Sequence, residues 1–333
     1  MKKTVYCKNI PIGGDRPISG QSMLNVPTED TEACLEQIAK LKEAGCDIIR
    51  LAVPTQEAAE SFGRIRKETD MPLVADIHFD YRLALAAVQG GADKIRINPG
   101  NIGDRDRVAQ VVRACKERNI SIRVGVNSGS LEKDILAKHG RVTAKGLAES
   151  ALRNVRLLEE MDFTDMVVSL KSSDVPMMVK AYEMVDKACD YPLHIGVTEA
   201  GTKESGLIKS SVGLGILLSK GIGNTLRVSL TGDPVQEVRA GRKVLSAFGL
   251  AKEPINMVSC PTCGRTKVDL ESLVIQLEEA LLPIIDERQK EGKVSLTIAV
   301  MGCEVNGPAK QPRLIWAWPV AKEWDCSLPR DRS

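Results

Sequence analysis

DIIRLAV (47–53) is a short apolar run, rich in β-branched residues and interrupted by one arginine, Arg50. A run of that length and composition reads as a strand. The same design recurs on both sides of it. PISGQSML (17–24) lies upstream; LVADIH (73–78), KIRINP (94–99), SIRVGV (121–126), MVVSLK (166–171), LHIGVT (193–198) and TLRVSL (225–230) follow. Between them, stretches such as 30–44 and 145–160 repeat apolar residues at three- and four-residue spacing, the period of a helix. In the first of these, Asp30 or Thr28 serves as N-cap and Gly45 as the stop. Eight strand–helix units, roughly 25–30 residues apart, predict an α/β fold: a (β/α)8 TIM barrel over residues 1–250. No Gly-x-Gly-x-x-Gly follows the first strand, which argues against a dinucleotide-binding sheet.

Polar residues fall late in these runs: Arg50, Asp76 and His78, Arg96 and Asn98, Arg123 then Asn127. Lys171, Glu199, and Arg227 with Ser229 continue the series. Strand side chains alternate faces, so Asp76 shares a face with His78, Arg96 with Asn98, and Arg227 with Ser229. In barrels of this type the C-terminal strand ends form the active site. Solvation or mutual pairing would explain any one of these residues. It does not explain four arginines and a lysine converging, because an unpaired charge in a half-dry barrel mouth is expensive. The guanidinium fork suits phosphate, so the sequence predicts a small phosphorylated or diphosphorylated substrate. Asp76 and Glu199 remain as carboxylates, one or both free for acid–base work.

Bulk properties narrow the partners. With 333 residues the chain suits one large domain and one small one. Aromatic residues make up only 3%, too few for stacking platforms, and a net charge of +2 offers no basic patch, so no nucleic-acid partner is expected. No apolar window reaches the ~18 residues of a membrane span. The opening MKKTVYCKNIPIGGDRP lacks the apolar core of a secretory signal. Nine scattered cysteines, an odd number, are no disulfide framework and suggest a reducing cytoplasm.

A Lys-Glu-Pro linker (252–254) opens a second domain, 251–333. A strand at 255–259 ends on Cys260, a helix at 269–290 contains Pro283, and a strand at 293–300 alternates Val294, Leu296, Ile298 and Val300 before Cys303. Cys260, Cys263 and Cys303 therefore converge at one edge of a small α+β unit. Incidental thiols, zinc and an iron–sulfur cluster are the readings to weigh. Zinc wants a fourth ligand, and no second Cys-x-x-Cys or nearby histidine exists. Thiolates are the usual iron–sulfur ligands, which favours the cluster. A radical S-adenosylmethionine site is disfavoured by spacing. Cys7, Cys34, Cys46, Cys115 and Cys189 read as structural, and His139 and His194 as ordinary histidines.

In order along the chain stand DIIRLAVPT (47–55), ADIHFD (75–80), KIRINPGN (94–101), RVGVNSGS (123–130), SLKSSD (169–174), GVTEAG (196–201), RVSLTGDP (227–234), SCPTCGR (259–265) and MGCEVNGP (301–308). In these motifs the chain resembles the family of 4-hydroxy-3-methylbut-2-enyl diphosphate synthases, from its N-terminus through Pro308. The resemblance implies a barrel like that of dihydropteroate synthase followed by an iron–sulfur domain. It implies a [4Fe-4S] cluster that opens 2-C-methyl-D-erythritol 2,4-cyclodiphosphate in a two-electron reductive dehydration, with flavodoxin or ferredoxin as donor. Carried over motif by motif, Arg96, Arg123, Lys171, Arg227 and Ser229 hold the diphosphate, Asn98 and Asn127 assist, and Arg50 and Asp76 line the mouth. Glu199 is the proton donor, and Cys260, Cys263 and Cys303 are cluster ligands. A homodimer is implied, the cluster domain of one subunit capping the partner's barrel.

After Asn-Gly-Pro the family continues Gly-Glu-Ala, and that glutamate is the fourth cluster ligand; here Lys310 stands at its position. The remainder, 309–333, is foreign in composition, with all three tryptophans (Trp316, Trp318, Trp324) and no visible strand–helix pattern. One G restored before the Ala309 codon, with synonymous codons chosen, yields a tail opening Gly-Glu-Ala. The expectation is a single-nucleotide deletion, in the gene or in its sequencing, and a last strand missing from the chain as written. The alternatives are a cluster-deficient remnant that only binds the cyclodiphosphate, or a pterin- or phosphate-binding barrel with a zinc knuckle.

Overall fold

The computed structural model describes residues 1–266, 268–290, 295–302 and 316–319. The chain divides into two compact units, Met1–Ala251 and Lys252–Ser333.

In the first unit, β1 (Val5–Cys7) and β2 (Ile10–Ile12) form an antiparallel hairpin. Eight strands follow: β3 (Ser19–Met23), β4 (Ile48–Ala52), β5 (Leu73–Asp76), β6 (Lys94–Ile97), β7 (Ser121–Asn127), β8 (Met166–Lys171), β9 (His194–Ile195) and β10 (Thr225–Leu226). They lie parallel in the order β8-β7-β6-β5-β4-β3-β10-β9, and a parallel bridge between Val168 and Leu193 joins the two ends into a ring. Helices alternate with the strands, as the periodicity predicts. Several begin on a side-chain cap just past the strand end: Asp30 accepts from the Ala33 amide, Thr55 from Ala58, Asp174 from Met177 and Asp233 from Val235. Each cap stops the extended chain near one rim and so gathers the functional loops there.

Outward strand residues such as Ile49, Leu51, Leu73, Ile95, Ile122 and Val168 pack with the helices into the main core. Inward residues divide by height. At the N-terminal end the hairpin sets Val5, Cys7 and Ile12 against Ile48, Val74 and Val167, an apolar plug. Above it the interior turns polar. The hairpin was invisible to periodicity because each of its strands has only three residues.

Strands β9 and β10 are shorter than the sequence runs 193–198 and 225–230. The Arg227 amide still donates to the Ile195 carbonyl at 3.0 Å, but beyond Leu226 the chain has left the ladder with β3. Arg227 and Ser229 therefore stand on a rim loop.

In the second unit β11 (Ile255–Ser259), β12 (Leu296–Met301) and β13 (Trp316–Pro319) form a parallel sheet in that order. A helix, Leu270–Lys290, connects the first two and contains Pro283. The third strand corrects the expectation of a tail without strand structure. A ladder is made by backbone groups, so a Trp-Ala-Trp segment of high β propensity pairs with the open edge of β12 whatever its origin. Among the described residues no helix is long and apolar enough to cross a membrane.

Candidate active site

The cations of the strand ends meet at the C-terminal mouth. The ladders place Asp76 opposite Arg96 and Arg96 opposite Arg123 on β5, β6 and β7. Arg50, Asp76, Arg96, Asn98, Arg123 and Lys171 are all at most 9% exposed.

Asp76 is the hub. Its carboxylate lies 3.2 Å from Arg96 Nη1, 3.7 Å from Arg50 Nε and 3.3 Å from His78 Nε2. Burial opposes its charge, but Arg50, His78 and Arg96 together outweigh burial and hold the carboxyl far below the usual carboxylate range. A carboxyl held that firmly ionised serves as a counter-ion to the cations around it.

A second carboxylate pairs with a cation of the mouth, and sequence reading missed it. Glu237, 4% exposed in the first turn of the helix Pro234–Ala247, lies 3.2 Å from Arg227 Nη2 and accepts the Leu230 amide at 2.9 Å. Its signal was slight: a glutamate four residues past Asp233, at a helix start where acids are common. Met23 was missed too. Its thioether sulfur accepts from Arg50 Nε at 3.1 Å and Nη2 at 2.8 Å, and stands 3.6 Å from Arg227 Nη1, spacing the two guanidinium groups.

Arg123 and Lys171 are different. Arg123 is 1% exposed, and its Nε and Nη1 meet no acceptor among the described residues. Burial, then Arg50 and Arg96, depress its affinity for the proton well below that of ordinary arginine. Lys171 is pushed down by burial, then by Arg227, Arg123 and Arg50, with Glu237 the weaker opposing influence. Among the described residues, five cations (Arg50, Arg96, Arg123, Lys171, Arg227) thus share two carboxylates (Asp76, Glu237). Among these groups negative charge is short, and a bound anion would relieve it.

The amides complete the rim. Asn98 Oδ1 accepts the Gly100 amide at 3.2 Å and faces Asn154 Nδ2 at 3.4 Å, which leaves its buried Nδ2 without a partner among the described residues. With its amide oxygen turned toward Arg96, Asn127 accepts from Nη2 at 3.3 Å and donates to the Val126 carbonyl. Ser229 is half-buried and Glu199 exposed. Glu199 sits at φ 52°, a left-handed backbone that costs a non-glycine residue of order 1 kcal/mol and is found more often at functional loops. Deeper in the barrel, His194 is fully buried with neither ring nitrogen partnered among the described residues, and burial with Arg123 and Lys171 keeps it neutral. His139, by contrast, pairs with Glu149 at 2.9 Å.

In the second unit, Cys260 follows β11 and its amide donates to the Val300 carbonyl at 3.0 Å. Cys263 ends the Cys-x-x-Cys turn; its amide donates to Thr266 Oγ1 at 3.2 Å. The Arg265 amide, the charge of Arg265 and the Thr266 hydroxyl hold the Cys263 thiol below its ordinary value, toward thiolate. Gly302 passes so close to this turn that a Cβ there would stand 2.8 Å from Thr266 Cγ2. The residue after it is Cys303, which lies outside the described residues, as do Lys310 and Trp324. Two soft thiols on one turn, with the strand leading to a third packed against that turn, fit an iron–sulfur cluster as ligand set. Among the described residues no group of three metal-binding side chains occurs.

Comparison with known proteins bears on both units. The GcpE TIM-barrel domain model matches residues 2–242, and the GcpE protein C-terminal domain model matches 256–313. A protein of Caldanaerobacter subterraneus subsp. tengcongensis named 4-hydroxy-3-methylbut-2-en-1-yl diphosphate synthase (flavodoxin) is 56% identical over 310 residues, 93% of this chain and 85% of that protein. One of the same name from Ruminiclostridium cellulolyticum is 54% identical over 308 residues, 92% of this chain and 85% of its own. Among solved structures, dihydropteroate synthase from Stenotrophomonas maltophilia superposes with a TM-score of 0.55 at 15% identity, covering 74% of this chain and 97% of that one. The enzyme from Vibrio fischeri gives 0.52 at 15% identity, covering 74% and 98%. These two likenesses show the barrel fold alone.

Proposed function

We infer the activity from one premise: this chain belongs to the GcpE family. Its function is that of a 4-hydroxy-3-methylbut-2-en-1-yl diphosphate synthase, an oxidoreductase of isoprenoid synthesis, rather than a pterin barrel with a zinc knuckle. The substrate we assign is 2-C-methyl-D-erythritol 2,4-cyclodiphosphate, which is reductively opened and loses water. The observation that carries the assignment is the charge imbalance of the mouth, five cations sharing two carboxylates.

Arg123 and Lys171, the two cations least compensated by carboxylates, take the diphosphate, and its charge replaces the one they lack. Arg96 and Arg227 flank it, each already oriented by its own carboxylate, with Ser229, Asn98 and Asn127 as hydrogen-bonding partners. Arg50 and Asp76 line the mouth and fix Arg96. Glu199, on its left-handed loop, delivers the proton that lets the hydroxyl leave as water. Cys260, Cys263 and Cys303 would hold a [4Fe-4S] cluster, which when bound supplies single electrons received from flavodoxin or ferredoxin. The protein works in the cytoplasm as a homodimer.

The tail after Pro308 bears on competence. We read residues 309–333 as the product of a single-nucleotide deletion, so that the glutamate expected at position 310 is replaced by Lys310, whose ammonium is a poor iron ligand. Resequencing across the Pro308 codon tests this; an intact frame in independent clones would refute it. Anaerobic reconstitution with iron and sulfide, followed by assay with reduced flavodoxin, tests the function. Thiolate-to-iron absorbance with turnover supports the synthase. Tight cyclodiphosphate binding without a stable chromophore identifies a remnant, and no binding at all overturns the reading of the mouth.

A further inference from the structure

We propose that Gly125, in the middle of β7, is a positioning residue that sets how deep Arg96 lies in the barrel and so where the anion rests. A Cβ built on Gly125 would stand 2.5 Å from Arg96 Nε, 3.1 Å from Nη2 and 3.2 Å from Cζ. The whole guanidinium plane therefore lies across the bare backbone of β7, and Nη2 faces the Gly125 carbonyl at 3.4 Å. In that pose Nη1 reaches Asp76 and Nη2 reaches Asn127 with its amide oxygen inward. Arg96 and Arg123 occupy paired positions on neighbouring strands, so a guanidinium standing higher on β6 would obstruct the approach to Arg123. A Cβ at 125 leaves the guanidinium no room in that pose, and because it is the far end of a flexible side chain it is the group that moves.

A second glycine of the same RVGVNSGS run supplies the contrast. A Cβ on Gly129 would meet nothing within 4 Å. Proximity in sequence is shared; the wall of guanidinium is not. The role of Gly125 is thus specific to one partner and separable from turn chemistry.

The inference rests on the mouth being a diphosphate site, and the experiment separates the two. Dissociation constants of the cyclodiphosphate and of inorganic pyrophosphate are measured by calorimetry for the wild type, Gly125→Ala, Arg96→Ala, the double variant and Gly129→Ala. Gly125→Ala weakens binding about tenfold or more, because one charge-assisted pair is misplaced. The same change in the Arg96→Ala background shifts the constant less than about twofold, since the partner is gone. Gly129→Ala binds as the wild type does. Wild-type affinity in Gly125→Ala, or an equal loss in both backgrounds, overturns the proposal. If Gly125→Ala fails to fold, recovery of folding in the double variant supports the clash with Arg96, and no recovery refutes it. If the wild type binds neither anion, the functional reading falls on its own. Gly125 is then judged by a crystal structure of Gly125→Ala, where a guanidinium moved by about an ångström supports the role and an unmoved one ends it.

Discussion

The barrel mouth and the cysteine turn of the second unit treat charge in opposite ways. At the mouth, Arg123 and Lys171 are buried where charge is disfavoured. On the cysteine turn, Cys263 is half-buried, and the Arg265 amide, the charge of Arg265 and the Thr266 hydroxyl draw its thiol below the ordinary value. One region disfavours the charged form of its side chains; the other favours it. The difference follows from burial. Strands inside a closed ring hold cations in a low-dielectric interior, whereas a turn at a sheet edge leaves its thiol near water.

If the two regions carry separate tasks, a change in one should spare the other. The largest effect comes from Cys263→Ser, which abolishes turnover and the iron–sulfur chromophore while the cyclodiphosphate constant stays within about twofold of wild type. A matching loss of binding, seen by calorimetry, would break the separation. Lys171→Met comes next. It removes a cation that the fold holds at a loss, so affinity falls by about a hundredfold while the ligand-free protein melts at a higher temperature. A lower melting temperature would show that Lys171 is not strained. Glu237→Gln removes the counter-ion of Arg227 and destabilises the ligand-free protein by about 2 kcal/mol. Pyrophosphate then stabilises the variant more than the wild type, read as the shift in melting temperature.

The smallest effect concerns protons. Lys171 has a depressed pKa in the folded, ligand-free protein and regains its proton beside an anion. Binding therefore takes up protons above that depressed value, and affinity declines as pH rises through it. Below it both states are protonated and uptake vanishes. Without ligand the sign for stability is opposite. The unfolded chain binds the proton more readily, so folding stability rises with pH across the window up to the ordinary lysine value. Calorimetry in buffers of different ionisation enthalpy measures the uptake, and its persistence in Lys171→Met would assign it elsewhere.

Much of the barrel was legible because its strands are short apolar runs bounded by caps. Asp30 as N-cap and the starts of β5, β6, β7 and β8 stand where the pattern puts them, as does the strand Ile255–Ser259 of the second unit. The converging cations were legible too, since alternation on a strand dictates which side chains share a face. The hairpin at Val5–Ile12 was not, being too short to carry a period. Glu237 and Met23 were hidden for another reason. A carboxylate in a first helical turn and a methionine in a strand are commonplace locally, and only closing the ring brings them to Arg227. Trp316–Pro319 became a strand because an open backbone edge accepts any extended segment.

Sequence by itself determined the family, a row of cations at the strand ends of a strand–helix barrel, and a Cys-x-x-Cys turn with a third cysteine, Cys303, further on. These follow from local period, composition and motif order. Which cations are paired with carboxylates and which are not, why Asp76 sits as a counter-ion, and why Gly125 faces Arg96 were decided only by tertiary structure. Charge balance and close approach depend on residues far apart in the chain, and burial sets how strongly each is felt.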